Sequence, residues 1–246
     1  MTIIRVKDKL RGSMLNEMMD KPIVKENIVE YMRSSQRSFE KDLDRLQMWC
    51  NRKRIPIIPH ETAVFLDFQL GLLKPNRILE IGTAVGFSTI LMARHLPEEG
   101  QIFTIERHDI MSEKAKENFK KFGLEKKIKL FEDDAKDVLP SLDETFDFIF
   151  MDSAKSKYVE FFPYCMKALK VGGIMIVDDI FQAGTILDDI SEIPRRARKI
   201  HKRLNQFLDL IQNDEALKST LIPLGDGIVM IQKIAEKDYS FIFDQI

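Results

Sequence analysis

Residues 77–88 read RILEIGTAVGFS, and this stretch constrains the fold more than any other. Ile78-Leu79-Glu80-Ile81 is an apolar run too short for a helix, which predicts a buried strand. Gly82 and Gly86 follow, and Ser88-Thr89-Ile90-Leu91-Met92-Ala93 then starts a helical pattern. Strand, glycine turn and helix open an α/β sheet of the kind that binds nucleotides. Glycine lets the backbone approach a ligand, and the helix N-terminus leaves N–H groups unpaired there. A dinucleotide fingerprint would read G-x-G-x-x-G. Here the pattern is E-x-G-x-x-x-G, with the Glu80 carboxylate at the strand end. A carboxylate disfavours a phosphate beside it and favours a cation.

This turn resembles that of the class I S-adenosylmethionine-dependent methyltransferases. Their cofactor carries a sulfonium, an amino group and a ribose, and no phosphate. The resemblance implies that Glu80, Gly82, Gly86 and Ser88 meet S-adenosylmethionine. A plain strand-to-helix turn is the alternative.

Around this stretch strands and helices alternate. Further strands are predicted at 101–105, 128–131, 146–151 and 174–177, with helices at 88–95, 111–122, 137–142 and 158–169 and a turn at Val171-Gly172-Gly173. Strict alternation argues for a parallel, doubly wound sheet. The end of the chain breaks the pattern. A long helix over 193–211 precedes two apolar runs, 219–224 and 228–232, joined by Gly225-Asp226-Gly227, a hairpin signal. The expected fold is therefore α/β and Rossmann-like, a seven-stranded, mostly parallel sheet with an antiparallel last hairpin. Class I methyltransferases close their sheet in this way.

Ahead of the sheet, Phe39, Leu43, Leu46 and Cys50 fall at helical spacing, Ile55-Pro56-Ile57-Ile58-Pro59 is held extended by its prolines, and a helix over 61–73 carries Val64, Phe65, Phe68 and Leu72 as its apolar stripe. The domain reading is a helical cap over 1–60, the cofactor-binding domain over 61–234 and a tail over 235–246. The tail, with Tyr239, Phe241 and Phe243, is read either as packing on a partner subunit or as partly disordered.

Composition bounds the function. At 246 residues, with 38 basic and 39 acidic side chains, the chain is not a polycation, so any nucleic-acid contact must be a local patch. Cys50 and Cys165 are unclustered, which fits reduced thiols in a cytoplasmic protein. No apolar run approaches the ~20 residues of a membrane span, and no signal-peptide core opens the chain, so no membrane partner is expected.

Ligands in such a sheet bind beyond the C-terminal strand ends. Acidic residues stand there repeatedly: Glu80, Glu106, Asp152, Asp178-Asp179, and Asp133-Asp134 just past the third strand. Glu106 is spaced to receive ribose hydroxyls, and Asp134 with Ala135 to meet an adenine edge. Asp152, Asp178 and Asp179 would converge from neighbouring strands. Such a cluster needs a counter-charge, and a hard divalent cation, Mg2+ first, supplies one. Lys155 could accept a hydroxyl proton if the cation and partial burial lowered its pKa. Solvated carboxylates, helix caps and a surface lysine are the bland alternatives.

Asp152-x-x-Lys155-x-x-Tyr158, Asp178-Asp179 with Gly184 downstream, and Leu224-Gly225-Asp226-Gly227 resemble the metal-dependent catechol-type O-methyltransferase family over about residues 55–233. Pro194-Arg195-Arg196 before a long helix, then Ile222-Pro223-Leu224-Gly225-Asp226-Gly227, is similar to bacterial tRNA 5-hydroxyuridine methyltransferases. The resemblance implies that Asp152, Asp178 and Asp179 bind metal, that Lys155 is the base beside Asp152, and that Ile58, Ser88, Glu106, Asp133, Asp134 and Asp152 contact the cofactor. It also implies a homodimer. The family usually has Asn at the place of Asp179.

The reaction implied is attack of a metal-held oxyanion on the sulfonium methyl, on a substrate with two adjacent oxygens. Both 5-hydroxyuridine in tRNA and small catechol-like molecules qualify. Arg195, Arg196, Arg198, Lys199, Lys202 and Arg203 form a basic run that could hold a phosphate backbone together with Arg52-Lys53-Arg54. A solvated helix face would look the same. A non-catalytic RNA-binding protein is the remaining alternative, which the complete acidic set and Lys155 oppose.

Overall fold

The computed structural model describes residues 24–244. Residues 1–23, part of the expected N-terminal cap, and the last two residues of the tail lie outside the described residues. The strands are β1 (Arg77–Ile81), β2 (Gln101–Ile105), β3 (Ile128–Phe131), β4 (Phe146–Met151), β5 (Leu169–Val177), β6 (Leu217–Ile222) and β7 (Ile228–Lys233). They form one sheet in the order β3-β2-β1-β4-β5-β7-β6. Pairings from β3 through β5 are parallel, and β7 runs antiparallel to both β5 and β6.

The helices are α1 (Glu26–Ser35), α2 (Lys41–Lys53), α3 (His60–Leu73), α4 (Phe87–Ala93), α5 (Asp109–Lys121), α6 (Ala135–Val138), α7 (Tyr158–Ala168) and α8 (Arg198–Asn213). They cover both faces. Strand side chains alternate in direction, so each strand feeds two cores. Leu79, Ile81, Phe103, Ile105 and Met151 pack with α7 and α8. Ile78, Ile102, Phe148 and Phe150 pack with α2, α3, α4 and α5. Glu80 and Thr104 lie on the second face, side by side in register, where alternation would otherwise place an apolar residue.

Four expectations change. The apolar stripe of α3 is not Val64, Phe65, Phe68 and Leu72: the helix buries Ala63, Leu66 and Leu70, while Phe68 and Leu72 are 64% and 65% exposed. This helix is apolar on nearly every side, so spacing alone offers two stripes. The strand expected at 174–177 begins at Leu169, because Gly172 takes φ +85° and lets the chain stay paired through a register shift opposite Phe146 and Phe148. The penultimate strand runs two residues earlier than predicted, leaving Pro223, Leu224 and the Gly225-Asp226-Gly227 turn as the hairpin loop. The long helix starts at Arg198 after a single 3-10 turn over Arg195–Ala197.

The described part of the tail packs on its own chain. Tyr239 is buried against Phe162, with ring centroids 5.0 Å apart. Among the described residues no helix is long and apolar enough to cross a membrane.

Candidate active site

A cleft of about 1360 Å³ opens at the C-terminal ends of the parallel strands, walled on the far side by α1, the end of α2 and the segment 55–61. The strand ends are levelled by one ladder of hydrogen bonds. Gly82 N donates to Ile105 O, Asp152 N to Ile81 O and Asp178 N to Met151 O, each at 3.0 Å, and Glu106 N donates to Phe131 O at 2.9 Å. The first residue after each strand therefore stands at the same height. This is why residues 24 to 96 positions apart in sequence share one rim.

Gly82 has φ +103°, and a Cβ there would sit 1.9 Å from the Asp152 carbonyl oxygen. Glycine keeps the β1 and β4 loops in contact. Gly86 serves the helix instead. It starts α4 in a left-handed conformation, and its missing Cβ makes room for the Phe119 ring, away from the cleft lining.

Glu80 is also off the rim. It is fully buried, and its carboxylate accepts from Ser88 Oγ (2.6 Å), Thr89 Oγ1 (2.5 Å) and Thr104 Oγ1 (2.6 Å). Burial raises its pKa to about 7, against the opposing pull of those hydroxyls. The expected ligand-facing carboxylate is instead a brace for the first turn of α4, because it lies one residue before the ladder and points into the sheet face. Ser88 lines the cleft with its hydroxyl committed to Glu80.

Glu106 does stand on the rim. Its Oε2 accepts from Ala84 N at 2.8 Å and its Oε1 from His108 N at 2.9 Å, so both oxygens are aimed by the backbone. Ile58 and Ala135 supply buried apolar walls. Asp133 and Asp134 line the cleft as well, but each is partly engaged: Asp133 accepts from Asp134 N, and Asp134 caps α6 by accepting from Lys136 N at 3.0 Å.

At the floor, Asp152, Asp178 and Asp179 line the cleft within electrostatic reach of one another. Burial first, and Asp179 next, raise Asp152 to about 7 while Lys155 opposes. Burial, Asp179 and Asp152 push Asp178 well above the carboxylate range. Asp179 adopts φ +61°, a conformation that Asn and Asp tolerate better than most residues. Among the described residues no three His, Cys, Asp or Glu side chains form a ready metal-ligand group. The donor set is all carboxylate, and the positive charge that balances it is Lys155. Its Nζ lies 2.7 Å from Asp226 Oδ2 and 3.2 Å from Asp179 Oδ2. Burial alone would lower this amine's pKa, but Asp179 and Asp226 outweigh burial and hold it raised. The lowered lysine expected beside a bound cation is therefore not the state of the chain by itself.

Sequence reasoning missed Asp226, treating it as turn residue only. Its signal was topological: β7 is antiparallel to β5, so the residues entering β7 lie beside those leaving β5. Phe181 N donates to Asp226 O at 2.8 Å and Ile180 N to Gly227 O at 3.0 Å. Ser153 was missed too; its hydroxyl is buried at the cleft with no hydrogen-bond partner among the described residues. A third omission is Arg33, which grips the buried Glu61 through two 2.9 Å hydrogen bonds and ties α1 to α3 across the cleft wall.

The basic run divides into two sets of side chains. Arg198 braces the preceding loop through Ile193 O and Ser191 O, and Arg203 donates to Ser156 O beside Glu160. Arg195, Arg196, Lys199 and Lys202 are exposed, and none of the six lines the cleft. Alternation along α8 explains the split, since one face must pack His201, Leu204, Phe207 and Leu208.

A family model described as O-methyltransferase matches residues 33–234. A caffeoyl-CoA O-methyltransferase of Populus kitakamiensis is 28% identical over 183 residues, 72% of this chain and 78% of that protein. A catechol O-methyltransferase of Niastella koreensis is 34% identical over 144 residues, 57% of this chain and 65% of that protein. The SAH-bound crystal structure of the Podospora anserina methyltransferase PaMTH1 superposes with a TM-score of 0.74 at 25% identity, covering 84% of this chain and 94% of that one.

Proposed function

This chain belongs to the O-methyltransferase family, and from that premise we propose that it methylates a ring hydroxyl flanked by a second oxygen, using S-adenosylmethionine and a divalent cation. The observation that carries the reading is the cleft floor, where Lys155 is held between Asp179 and Asp226 beside Asp152 and Asp178. Three mutually repelling carboxylates suit a hard cation, and Asp152, Asp178 and Asp179 would hold it. When bound, Mg2+ supplies Lewis-acid stabilisation of an oxyanion, and S-adenosylmethionine supplies an electrophilic methyl group.

The chain's own residues do the rest. Glu106, aimed by Ala84 N and His108 N, orients the ribose; Ile58 and Ala135 exclude water from the adenine; Ser153 Oγ offers an unused hydrogen bond. Lys155 Nζ keeps its proton while both carboxylates face it, and in that state stabilises a developing oxyanion by charge. With Asp179 turned to another partner, one raising influence is removed, and Asp226 remains to hold the ammonium in place.

For the substrate we favour 5-hydroxyuridine in tRNA, whose 5-hydroxyl and 4-carbonyl oxygen are neighbours. Arg54 lines the cleft mouth with exposed Arg52 and Lys53 beside it, a positive edge for a phosphate backbone. The second reading, a small catechol-like molecule, is favoured by the names of the relatives and by the position of the α8 cations away from the cleft. The test is methyl transfer from labelled S-adenosylmethionine to tRNA carrying 5-hydroxyuridine or to a dihydroxybenzoate, with and without EDTA. Expected are 5-methoxyuridine and its loss with EDTA. Label only in the dihydroxybenzoate selects the second reading, label in neither refutes both, and indifference to EDTA refutes the cation.

A further inference from the structure

Lys155 is shared unequally. Its side chain is 13% exposed, and its shorter contact is to Asp226, which is 8% exposed. Asp226 is fixed on its other side as well. Its Oδ1 accepts from Ala183 N at 2.5 Å, and its backbone oxygen accepts from Phe181 N. The following Gly227 lies so close to Phe181 that a Cβ would stand 2.1 Å from the ring. The hairpin thus presents one carboxylate in a set position, with its two oxygens turned to Lys155 and Ala183 rather than to Asp152 or Asp178.

We propose that Asp226 is a positioning residue that draws the Lys155 ammonium off Asp179, leaving Asp179 available to a divalent cation. The proposal rests on the reading of Asp152, Asp178 and Asp179 as cation ligands. A buried ammonium has to keep a carboxylate partner. With Asp226 present, the ammonium has its shorter contact there, at 2.7 Å, and can give up the longer one to Asp179, at 3.2 Å, without losing its only partner. Without Asp226, the ammonium closes on Asp179, and an incoming cation must displace it. The resident lysine and the incoming metal compete for Asp179, and Asp226 sets the outcome.

The test is Mn2+ binding, measured by calorimetry and by the electron paramagnetic resonance of free Mn2+, with no methyl donor or substrate. Asp226→Asn keeps an oxygen for Ala183 N and removes the charge. It weakens Mn2+ binding ~10-fold, the worth of one charge-assisted hydrogen bond. Lys155→Met leaves the hairpin untouched and tightens binding. Loss of the Asp226 charge would also weaken a cation's binding at long range, so the double variant decides: in the Lys155→Met background Asp226→Asn costs less than ~2-fold. Asp226→Glu restores part of the affinity. Unchanged binding in Asp226→Asn, or an equal loss with and without Lys155, overturns the proposal. If Asp226→Asn does not fold, unchanged affinity in Lys155→Met overturns it alone. Wild-type protein that binds no Mn2+ removes the cation reading itself and this proposal with it.

Discussion

Replacing Glu80 by Gln should change how stability depends on pH. Glu80 is completely buried among Ser88, Thr89 and Thr104, and its pKa stands at about 7 against an ordinary 4.5. A folded state with the higher pKa binds the proton more tightly than the unfolded chain. Between these two values the folded protein keeps a proton that the unfolded chain has released, so stability falls as pH rises. The contribution is complete below about 4.5 and lost above about 7. Moving one carboxyl across that interval is worth ~3 kcal/mol. Full burial means that solvent does not screen it. Gln cannot ionise; with its nitrogen toward Thr89 and Thr104 those two hydroxyls can rotate to accept, while Ser88 goes on donating to the amide oxygen. Glu80→Gln should therefore gain ~3 kcal/mol on wild type between pH 4.5 and pH 8. The assay is urea unfolding of both proteins, followed by circular dichroism, at half-unit steps across this range. Asp178 is raised as well and tilts both curves alike, so it cancels in the difference; Asp152 cancels except for the small part of its rise that the Glu80 charge itself causes, the last of its influences. A difference between the two proteins that stays constant with pH would refute the reasoning.

Gly82→Ala forces a Cβ to within 1.9 Å of the Asp152 carbonyl at φ +103°; it should cost ~3 kcal/mol or more, or ~6–12 °C in Tm, and a melting curve identical to wild type would contradict this. Glu106→Gln turns one of two backbone-aimed oxygens into a donor facing Ala84 N–H or His108 N–H. Binding of S-adenosylmethionine, read by calorimetry, should weaken ~10-fold or more, and an unchanged Kd removes Glu106 from the ribose site. Arg33→Met leaves Glu61, 2% exposed, without its two hydrogen bonds. Because Arg33 itself is half exposed, the cost should be only ~1–2 kcal/mol. Amide exchange should quicken in α1 and leave β1 and β4 unchanged; uniform protection would count against the tie.

The strands β1, β2 and β4 are readable to the residue because each is buried on both faces and bounded by turn residues, so apolar runs and strands coincide; β3, half-buried at the sheet edge, is readable from its short apolar run ahead of Asp133-Asp134. Where the chain departs from that rule, spacing misleads. Gly172 and Gly173 look like a turn, yet they lie inside β5, because pairing tolerates a positive φ at a register shift. Helix α3 carries more apolar residues than its buried face needs, so of the stripe Val64, Phe65, Phe68 and Leu72 the first two are half-buried and the last two exposed. Basic residues in α8 were counted together, although Arg198 and Arg203 are spent on backbone carbonyls.

The site was legible to the extent that chain position equals spatial position. In a parallel sheet, the residue after every strand lands on one rim, and Gly82, Glu106, Asp152 and Asp178 follow that rule through the same ladder of hydrogen bonds. Glu80 breaks it by one residue: before the rim, a side chain points to a sheet face, and a carboxylate there becomes a brace. Asp226 breaks it in the opposite sense. Because β7 is antiparallel, its beginning, not its end, reaches the rim. A search for carboxylates after strands finds the negative charges and overlooks the residue that disposes of the positive one. That residue matters to Lys155, whose pKa in the chain by itself burial would lower and Asp179 and Asp226 together hold raised. The antiparallel hairpin, which looks like a closing device for the sheet, thus also brings a carboxylate to within 2.7 Å of the ammonium at the floor of the cleft.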